Sequence, residues 1–368
     1  MLSYTSAVNI APHAGPPIAL DATPLTIATG GVARYTSELA RALAARFPEQ
    51  EYWLLCDRPF PMPHPHPSNL HQGDPAASFL DRRWWSRGVY REMSRRRVDL
   101  FHGTDFSTPY LPLHASVMTV HDLSPWLERA WQPDSARVRR RAAALLRARV
   151  PTMVITPTDT IRAAVIQRFS FPPDRVVAVP LAASEHFRPF ADAAFGDRTP
   201  FLLFVGTLEP RKNIPLLIDA WREVRKTHNL DLVIAGRARS DFPPIAPEPG
   251  LCVLGAVPEA SLPALYSAAL AVVYPSLYEG FGLPVLEAMQ CGAIVVTSRD
   301  PAIMEVAGDG AESVDATSLA ATLLAIAAHP EHFAPLRERA LKRARQFSWR
   351  RTAEMTQDVY CEARRLFK

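Results

Sequence analysis

The sequence predicts an α/β protein built from two doubly wound, parallel-sheet domains. Three observations carry that prediction. A length of 368 residues suffices for two cores of ordinary size. Apolar, β-rich runs alternate with helical patterns along the chain, the sequence form of parallel sheets covered by helices. A stretch of mixed polarity at 186–200, with two prolines and a glycine, separates two series of such runs and is expected to be the interdomain linker. The expected divisions are therefore 18–185, 200–347 and a terminal helix within 348–368.

The first series opens with the run 18–23, followed by a Gly30-Gly31 turn and a helix whose Val32, Tyr35, Leu39, Leu43 and Phe47 recur at helical spacing. Strands are expected at 52–56, 100–102, 117–121, 153–156 and 176–179. The proline-rich segment 59–67 reads as a surface loop, and its His64 and His66 lack a neighbouring carboxylate or cysteine to complete a metal site. The second series predicts strands at 201–207, 232–235, 252–257, 271–274, 294–297 and 312–314. Helical patterns follow, the last near 351–367.

Composition narrows the function. Hydrophobic residues make up 48% and charged residues 21%, the balance of a globular chain rather than a disordered or fibrous one. With 41 basic and 37 acidic residues there is no global field of the kind that gathers nucleic acid. Cys56, Cys252, Cys291 and Cys361 lie far apart without metal-ligand spacing, as expected of reduced thiols in a cytosol. Residues 1–17 lack the basic start and unbroken apolar stretch of a signal peptide. The most apolar stretch, 264–274, is too short to span a membrane and is expected to be a buried strand and its approach.

The chemistry concentrates in 274–298, YPSLYEGFGLPVLEAMQCGAIVVTS. A strand ends at Pro275, a glycine-containing loop follows, and Pro284 stands where a helix would begin. The exposed amides of Gly280, Phe281, Gly282 and Leu283 would surround that helix N-terminus, an arrangement that favours anions such as a diphosphate. Glu279 in the loop and Glu287 one turn inside the helix supply acceptors for hydroxyls, so the expected ligand carries both phosphates and hydroxyls. As two solvated acids at a helix start they would need no ligand, since the dipole favours them there.

This segment resembles the E-x7-E signature of glycosyltransferase family 4, with Glu279 and Glu287 as its acids. The resemblance extends to FVGTLEPRKN (204–213), where Arg211 and Lys212 follow the first strand of the second domain, placed to neutralise a leaving diphosphate. Many members have an arginine directly after the glycine of this segment; this chain has Thr207, so the phosphate role rests on Arg211 and Lys212. In the first domain TGGVARYTSELA resembles the family's glycine-rich loop, where Gly30 and Gly31 would let backbone approach donor or acceptor, or simply form a tight turn. VMTVHDLSP places His121 at a strand end, where members use a histidine on the transferred sugar; a hydrogen-bonded core histidine is the alternative. FHGTDFSTP resembles the adjoining loop, with Asp105 either an acceptor contact or a turn acid.

The resemblance implies the GT-B fold, two Rossmann-like domains facing a central cleft with the terminal helix crossing back, and a retaining transfer of a hexose from a nucleotide-diphosphate sugar to a saccharide or lipid-linked acceptor. A bacterial polysaccharide mannosyl- or rhamnosyltransferase is the nearest pattern, with a GDP-mannose donor preferred among several. No D-x-D pair occurs, so no metal and no cofactor beyond the donor are expected. A phosphorylase or epimerase on the same fold, or a non-catalytic nucleotide-sugar-binding subunit, are the alternatives. The segment DRRWWSRGVYREMSRRR (81–97) reads as one basic amphipathic helix, with Arg83, Arg87, Arg91 and Arg95 in one stripe and Trp85, Val89 and Met93 in another. It either packs on the sheet by its apolar stripe or also docks the cytoplasmic protein peripherally on an anionic membrane.

Overall fold

The computed structural model describes residues 15–27, 30–76, 78, 81, 83–190 and 199–367. The first sheet contains β1 (Ile18–Asp21), β2 (Tyr52–Leu55), β3 (Leu70–Gln72), β4 (Leu100–Gly103), β5 (Ala115–Thr119), β6 (Met153–Thr156) and β7 (Val176–Ala178). The second contains β8 (Phe201–Val205), β9 (Asp231–Ala235), β10 (Leu251–Gly255), β11 (Ala271–Tyr274), β12 (Val295–Ser298) and β13 (Glu312–Val314). Spatial orders are β3-β2-β1-β4-β5-β6-β7 and β10-β9-β8-β11-β12-β13, and every pairing is parallel. Strand order reverses between β1 and β4 in one sheet and between β8 and β11 in the other. In such sheets the crevice beyond the carboxyl ends at the reversal takes the ligand.

The helices are α1 (Gly31–Arg46), α2 (Gly88–Arg95), α3 (Ala136–Arg147), α4 (Asp159–Phe169), α5 (Ile214–Arg225), α6 (Leu262–Ala268), α7 (Leu283–Gln290), α8 (Pro301–Ala307), α9 (Leu319–Ala328), α10 (Ala334–Ala344) and α11 (Trp349–Phe367). The periodic residues of α1 do what their spacing predicts: Tyr35, Leu39 and Leu43 are buried. Central strands β1, β4, β5, β6, β8 and β11 are buried at every position, which is why they read as largely apolar runs.

Helix α11 returns to the first domain, as the fold requires. It packs on α1 and β5, Tyr360 hydrogen-bonds His102 Nδ1 at 2.7 Å, and Arg364 forks onto Asp99. His102 continues through Nε2 to Thr119 Oγ1 at 2.8 Å, and Thr119 to the Tyr35 hydroxyl at 2.9 Å. Burial holds the His102 imidazole far down, at about 3, so the chain is one of neutral hydrogen bonds.

Several expectations require correction. Strand β3, Leu-His-Gln at the sheet edge, was not foreseen, because three residues with one buried position give no period. β5 stops at Thr119, which places His121 in the loop beyond it. The stretch 264–274, by contrast, is as expected a buried strand, β11, and its approach, the end of α6. Segment 81–97 is not one helix: a 3-10 turn at Trp84–Ser86 precedes α2, which starts only at Gly88. A Cβ at Gly88 would lie 2.3 Å from the carbonyl oxygen of Asp81, so the chain doubles back there. The four-arginine stripe is thus broken, with Arg91 paired to Asp81 and Arg95 to Asp74 and Glu92. Val89 and Met93 are buried under α2. Part of the linker, 191–198, as well as residues 1–14 and Thr29, lie outside the described residues.

Candidate active site in the interdomain cleft

Three charged residues of the second domain, Arg211, Lys212 and Glu279, gather at the β8/β11 reversal. Pro210–Lys212 form a 3-10 turn after β8, closed by Asn213 in the left-handed conformation (φ 54°), and this turn aims both cations at the loop after β11. Arg211 Nη1 donates to Glu279 Oε2 at 2.7 Å and Lys212 Nζ to Glu279 Oε1 at 2.5 Å. Arg211 also lies between Glu279 and Glu209, and Lys212 donates to the Tyr274 hydroxyl. Burial pushes the Glu279 carboxyl up, but Arg211 and Lys212 outweigh it and bring it to about 2. Burial pulls the Lys212 ammonium down, opposed by Glu279. The Glu279 amide donates to Asp300, which also caps α8, so the acid is tied at both backbone and side chain.

The loop after Glu279 is buried rather than exposed: Gly280, Phe281 and Gly282 are inside, and Leu283 is half-buried. Gly282 holds φ 87° as the residue before α7, a conformation that favours glycine. None of the amides of Gly280, Phe281, Gly282 and Leu283 donates to a described acceptor. The Phe281 side chain packs edge-on against Phe347, a core contact. Glu287 is a separate centre, fully buried, accepting from Tyr266 at 2.9 Å and from Arg34 of α1.

Across the cleft, Gly280 touches the loop beyond β5. A Cβ there would stand 1.9 Å from the His121 carbonyl oxygen, so only glycine lets the two backbones meet. His121 Nε2 is 2.8 Å from the Thr104 carbonyl. A carbonyl only accepts, so Nε2 carries the hydrogen and Nδ1 of the neutral ring is an acceptor. Thr104 in turn donates to the Asp21 carbonyl at 2.8 Å, and Ser107 to the Asp21 carboxylate at 2.7 Å. Asp21 at the end of β1 is fully buried; burial lifts its carboxyl to about 6 against the hydrogen bonds from Thr23 and Ser107. Asp105 lies beside His121, its carboxyl raised by burial and lowered by the histidine. At Gly30, where φ is 143°, and at Gly31, a Cβ would meet nothing within 4 Å, so neither glycine is there to make room for protein.

Residues 29–186 match Glycosyltransferase Family 4, and residues 188–347 match Glycosyl transferases group 1. The O-antigen chain mannosyltransferase B of Escherichia coli is 32% identical over 377 residues, covering 92% of this chain and 97% of that protein. The chain belongs to glycosyltransferase family 4. Its fold is shared with a sucrose-phosphate synthase from Thermosynechococcus elongatus at a TM-score of 0.74 and 20% identity, covering 95% of this chain and 99% of that one. It is shared likewise with Anabaena Alr3699/HepE in complex with UDP-glucose at 0.70 and 16%, covering 94% and 99%. These likenesses establish the GT-B architecture of this glycosyltransferase.

The cleft of this family 4 member holds residues that its sequence did not single out. Arg34 reaches from the first domain to both Glu287 and Glu259; its only sequence signal is a cation in a helix's first turn. Glu305 of α8 caps α4 from the other domain, accepting from the amides of Asp159 and Thr160 at 2.7 and 2.9 Å. Thr158 donates to the Gly280 carbonyl at 3.1 Å, and the Tyr278 hydroxyl accepts from the Leu123 amide at 2.8 Å. Such contacts couple positions more than 120 residues apart, and no periodicity announces them. Of the described residues, exposed His329, Glu331 and His332 bring three ligand-type atoms within 4.8 Å; they stand between α9 and α10 and share no residue with the cleft.

Proposed function

We propose that the protein is a metal-independent, retaining hexosyltransferase that moves a hexose, by preference mannose, from a nucleoside-diphosphate sugar to a saccharide or lipid-linked acceptor in bacterial surface-polysaccharide synthesis. The observation that carries this is the buried Glu279–Arg211–Lys212 cluster at the β8/β11 reversal, held by Gly280 directly against His121 of the opposite domain. Two cations and four free loop amides suit a diphosphate. Glu279 and His121 Nδ1 are acceptors on opposite sides of the position the transferred sugar would take, and Glu287 is an acceptor for ribose hydroxyls. A phosphate oxygen of the leaving group takes the proton of the incoming hydroxyl, so no protein base is assigned; attack on the face the diphosphate leaves retains configuration.

The mannose preference draws on the printed activity of the Escherichia coli relative. A cavity of about 370 Å³ beside Glu259, lined also by His186, Arg188 and Phe190, supports a seat for the nucleobase. A carboxylate at its wall suits the N1–H and amino donors of guanine.

No described helix is long and apolar enough to cross a membrane. Peripheral contact with an anionic membrane is supported by the first domain's surface, where Tyr110, Leu111 and Leu113 are exposed. Their loop is held to α2 by Trp85 and Tyr90 and neighbours α3 through Arg141, which lies over Trp85. Exposed Arg83, Arg87, Arg137 and Arg140 on these elements pair with no described carboxylate.

Thermal unfolding with GDP, UDP, dTDP and ADP, each with and without EDTA, tests the donor assignment. A ligand at 100 times its Kd adds about 2.7 kcal/mol. A rise in Tm with GDP that EDTA leaves unchanged is expected; no rise with any nucleotide refutes a donor site in this cleft.

A further inference from the structure

The acceptor-side domain sends a cation into the donor half of the cleft. Arg34 stands in the first turn of α1, where the positive end of the helix dipole disfavours it, so the helix gives no reason for its presence there. Its partners lie in the other domain: Nη1 donates to Glu287 Oε1 and Nη2 to Glu259 Oε2 at 2.8 Å, and the guanidinium lies 5.9 Å from the Phe187 ring centre. Among the described residues no other cation pairs with Glu287.

Hydrogen-bond capacity says what this arrangement leaves open. Each carboxylate oxygen accepts about two hydrogen bonds. On Glu287, Oε1 takes one from Arg34 and Oε2 one from Tyr266, which leaves unused acceptor capacity on each oxygen, the pattern two adjacent hydroxyls require; the side chain is 2% exposed in this closed arrangement, so a diol reaches it as the domains part and is held as they close. Charge points the same way. Arg211 and Lys212 are committed to Glu279, so without Arg34 the charges of Glu287 and Glu259 would face an incoming diphosphate uncompensated.

We propose that Arg34 is a donor-binding residue supplied by the acceptor-side domain: it keeps Glu287 an acceptor for the ribose cis-diol of a nucleoside diphosphate and makes donor binding depend on the closed cleft. This rests on the assignment of Glu287 to the ribose. The groups facing the pair are Glu38 on α1, Glu259 before α6 with His186 beside it, Tyr266 on α6 and Cys291 at the end of α7; Arg188 lines the cavity beside Glu259 but is exposed and pairs with no described carboxylate. Apart from Arg188, which pairs with neither Glu287 nor Glu259, the cation that could stand in is a protonated His186, whose ring burial holds below its usual range. Burial raises the Glu287 carboxyl and Arg34 opposes the rise. Without Arg34 the carboxyl protonates at higher pH, and donor affinity is lost as pH falls.

Isothermal titration of the full chain with GDP and UDP and their 2′-deoxy counterparts at pH 6, 7 and 8 tests this. In Arg34→Gln the Kd of the preferred ribonucleotide rises at least tenfold at pH 7, or about 1.4 kcal/mol. The loss is larger at pH 6 than at pH 8, and the penalty for removing the 2′-hydroxyl shrinks. Arg34→Lys, which keeps the charge, recovers most of the affinity, and circular dichroism verifies that both variants fold. Wild-type affinity in Arg34→Gln at all three pH values, with affinity lost in Glu287→Gln, overturns the proposal and leaves the ribose assignment standing. Wild-type affinity in both overturns the assignment and the proposal with it.

Discussion

Replacing Gly280 by alanine asks whether transfer takes place with the two domains in contact. The added Cβ would stand 1.9 Å from the His121 carbonyl oxygen and 3.0 Å from both the His121 carbonyl carbon and Asp122 Cβ. Ordinary contact begins near 3.4 Å, so the substituent has to retreat by about 1.5 Å. Its nearest obstacle is backbone, which cannot rotate aside as a side chain can. Thr158 and Tyr278 bind the same loop to the first domain, and relief therefore comes by separating the domains rather than by local adjustment. Overpacking of this kind costs about 1–3 kcal/mol. Catalysis is more sensitive, because a misplacement of about 1 Å costs on the order of a hundredfold in rate. Steady-state transfer assays with nucleotide sugar and acceptor should show kcat reduced about a hundredfold or more in Gly280→Ala. Urea unfolding should show the fold retained, and nucleoside-diphosphate affinity should fall less than turnover, by about the tenfold expected when Arg34 is drawn away from Glu287. A kcat near that of the wild type would refute the claim that contact between Gly280 and His121 belongs to the reactive state.

Three further outcomes are expected. Glu279→Ala removes the acceptor and leaves Arg211 and Lys212 without their shared carboxylate, so turnover should fall by orders of magnitude; near-normal turnover removes Glu279 from the site. Asp21 has a folded pKa of about 6 against 3.8 unfolded, so the native state holds the proton more tightly and this group's contribution to stability is greatest below pH 3.8. It should decline by on the order of 3 kcal/mol as pH rises through 6. Urea unfolding of Asp21→Asn at pH 4.5 and 7 should show that decline flattened, and an unchanged slope contradicts the burial account. For the basic surface, each cation near an anionic membrane contributes about 1 kcal/mol. Reversal of Arg83, Arg87, Arg137 and Arg140 to glutamate should abolish co-sedimentation with phosphatidylserine vesicles, and equal sedimentation refutes docking there.

What could be read from the chain followed from local rules. Buried parallel strands are mostly apolar, so most were visible as runs. Glu279 and Glu287 were legible as candidates because a strand end, a glycine loop and a helix start lie within one short segment, and Arg211 and Lys212 because they stand in the loop after a strand. Edge strand β3 and the break before α2 were not, since Gly88 turns the chain through a close approach to Asp81 that composition does not encode. The interdomain contacts were illegible for a deeper reason: a sequence says which charges exist but not which neutralise each other across a cleft. Reading alone gave Arg211 and Lys212 to a diphosphate and Glu279 to a sugar as independent roles. The structure joins all three in one buried cluster, and ties Glu287 to Arg34 from the other domain. A diphosphate binding to Arg211 and Lys212 must therefore share or displace Glu279, which frees that carboxylate toward the sugar as the phosphates settle. On the proposed donor assignment, phosphate binding and sugar orientation become one step, and that coupling is a property of the folded pairings, not of any residue alone.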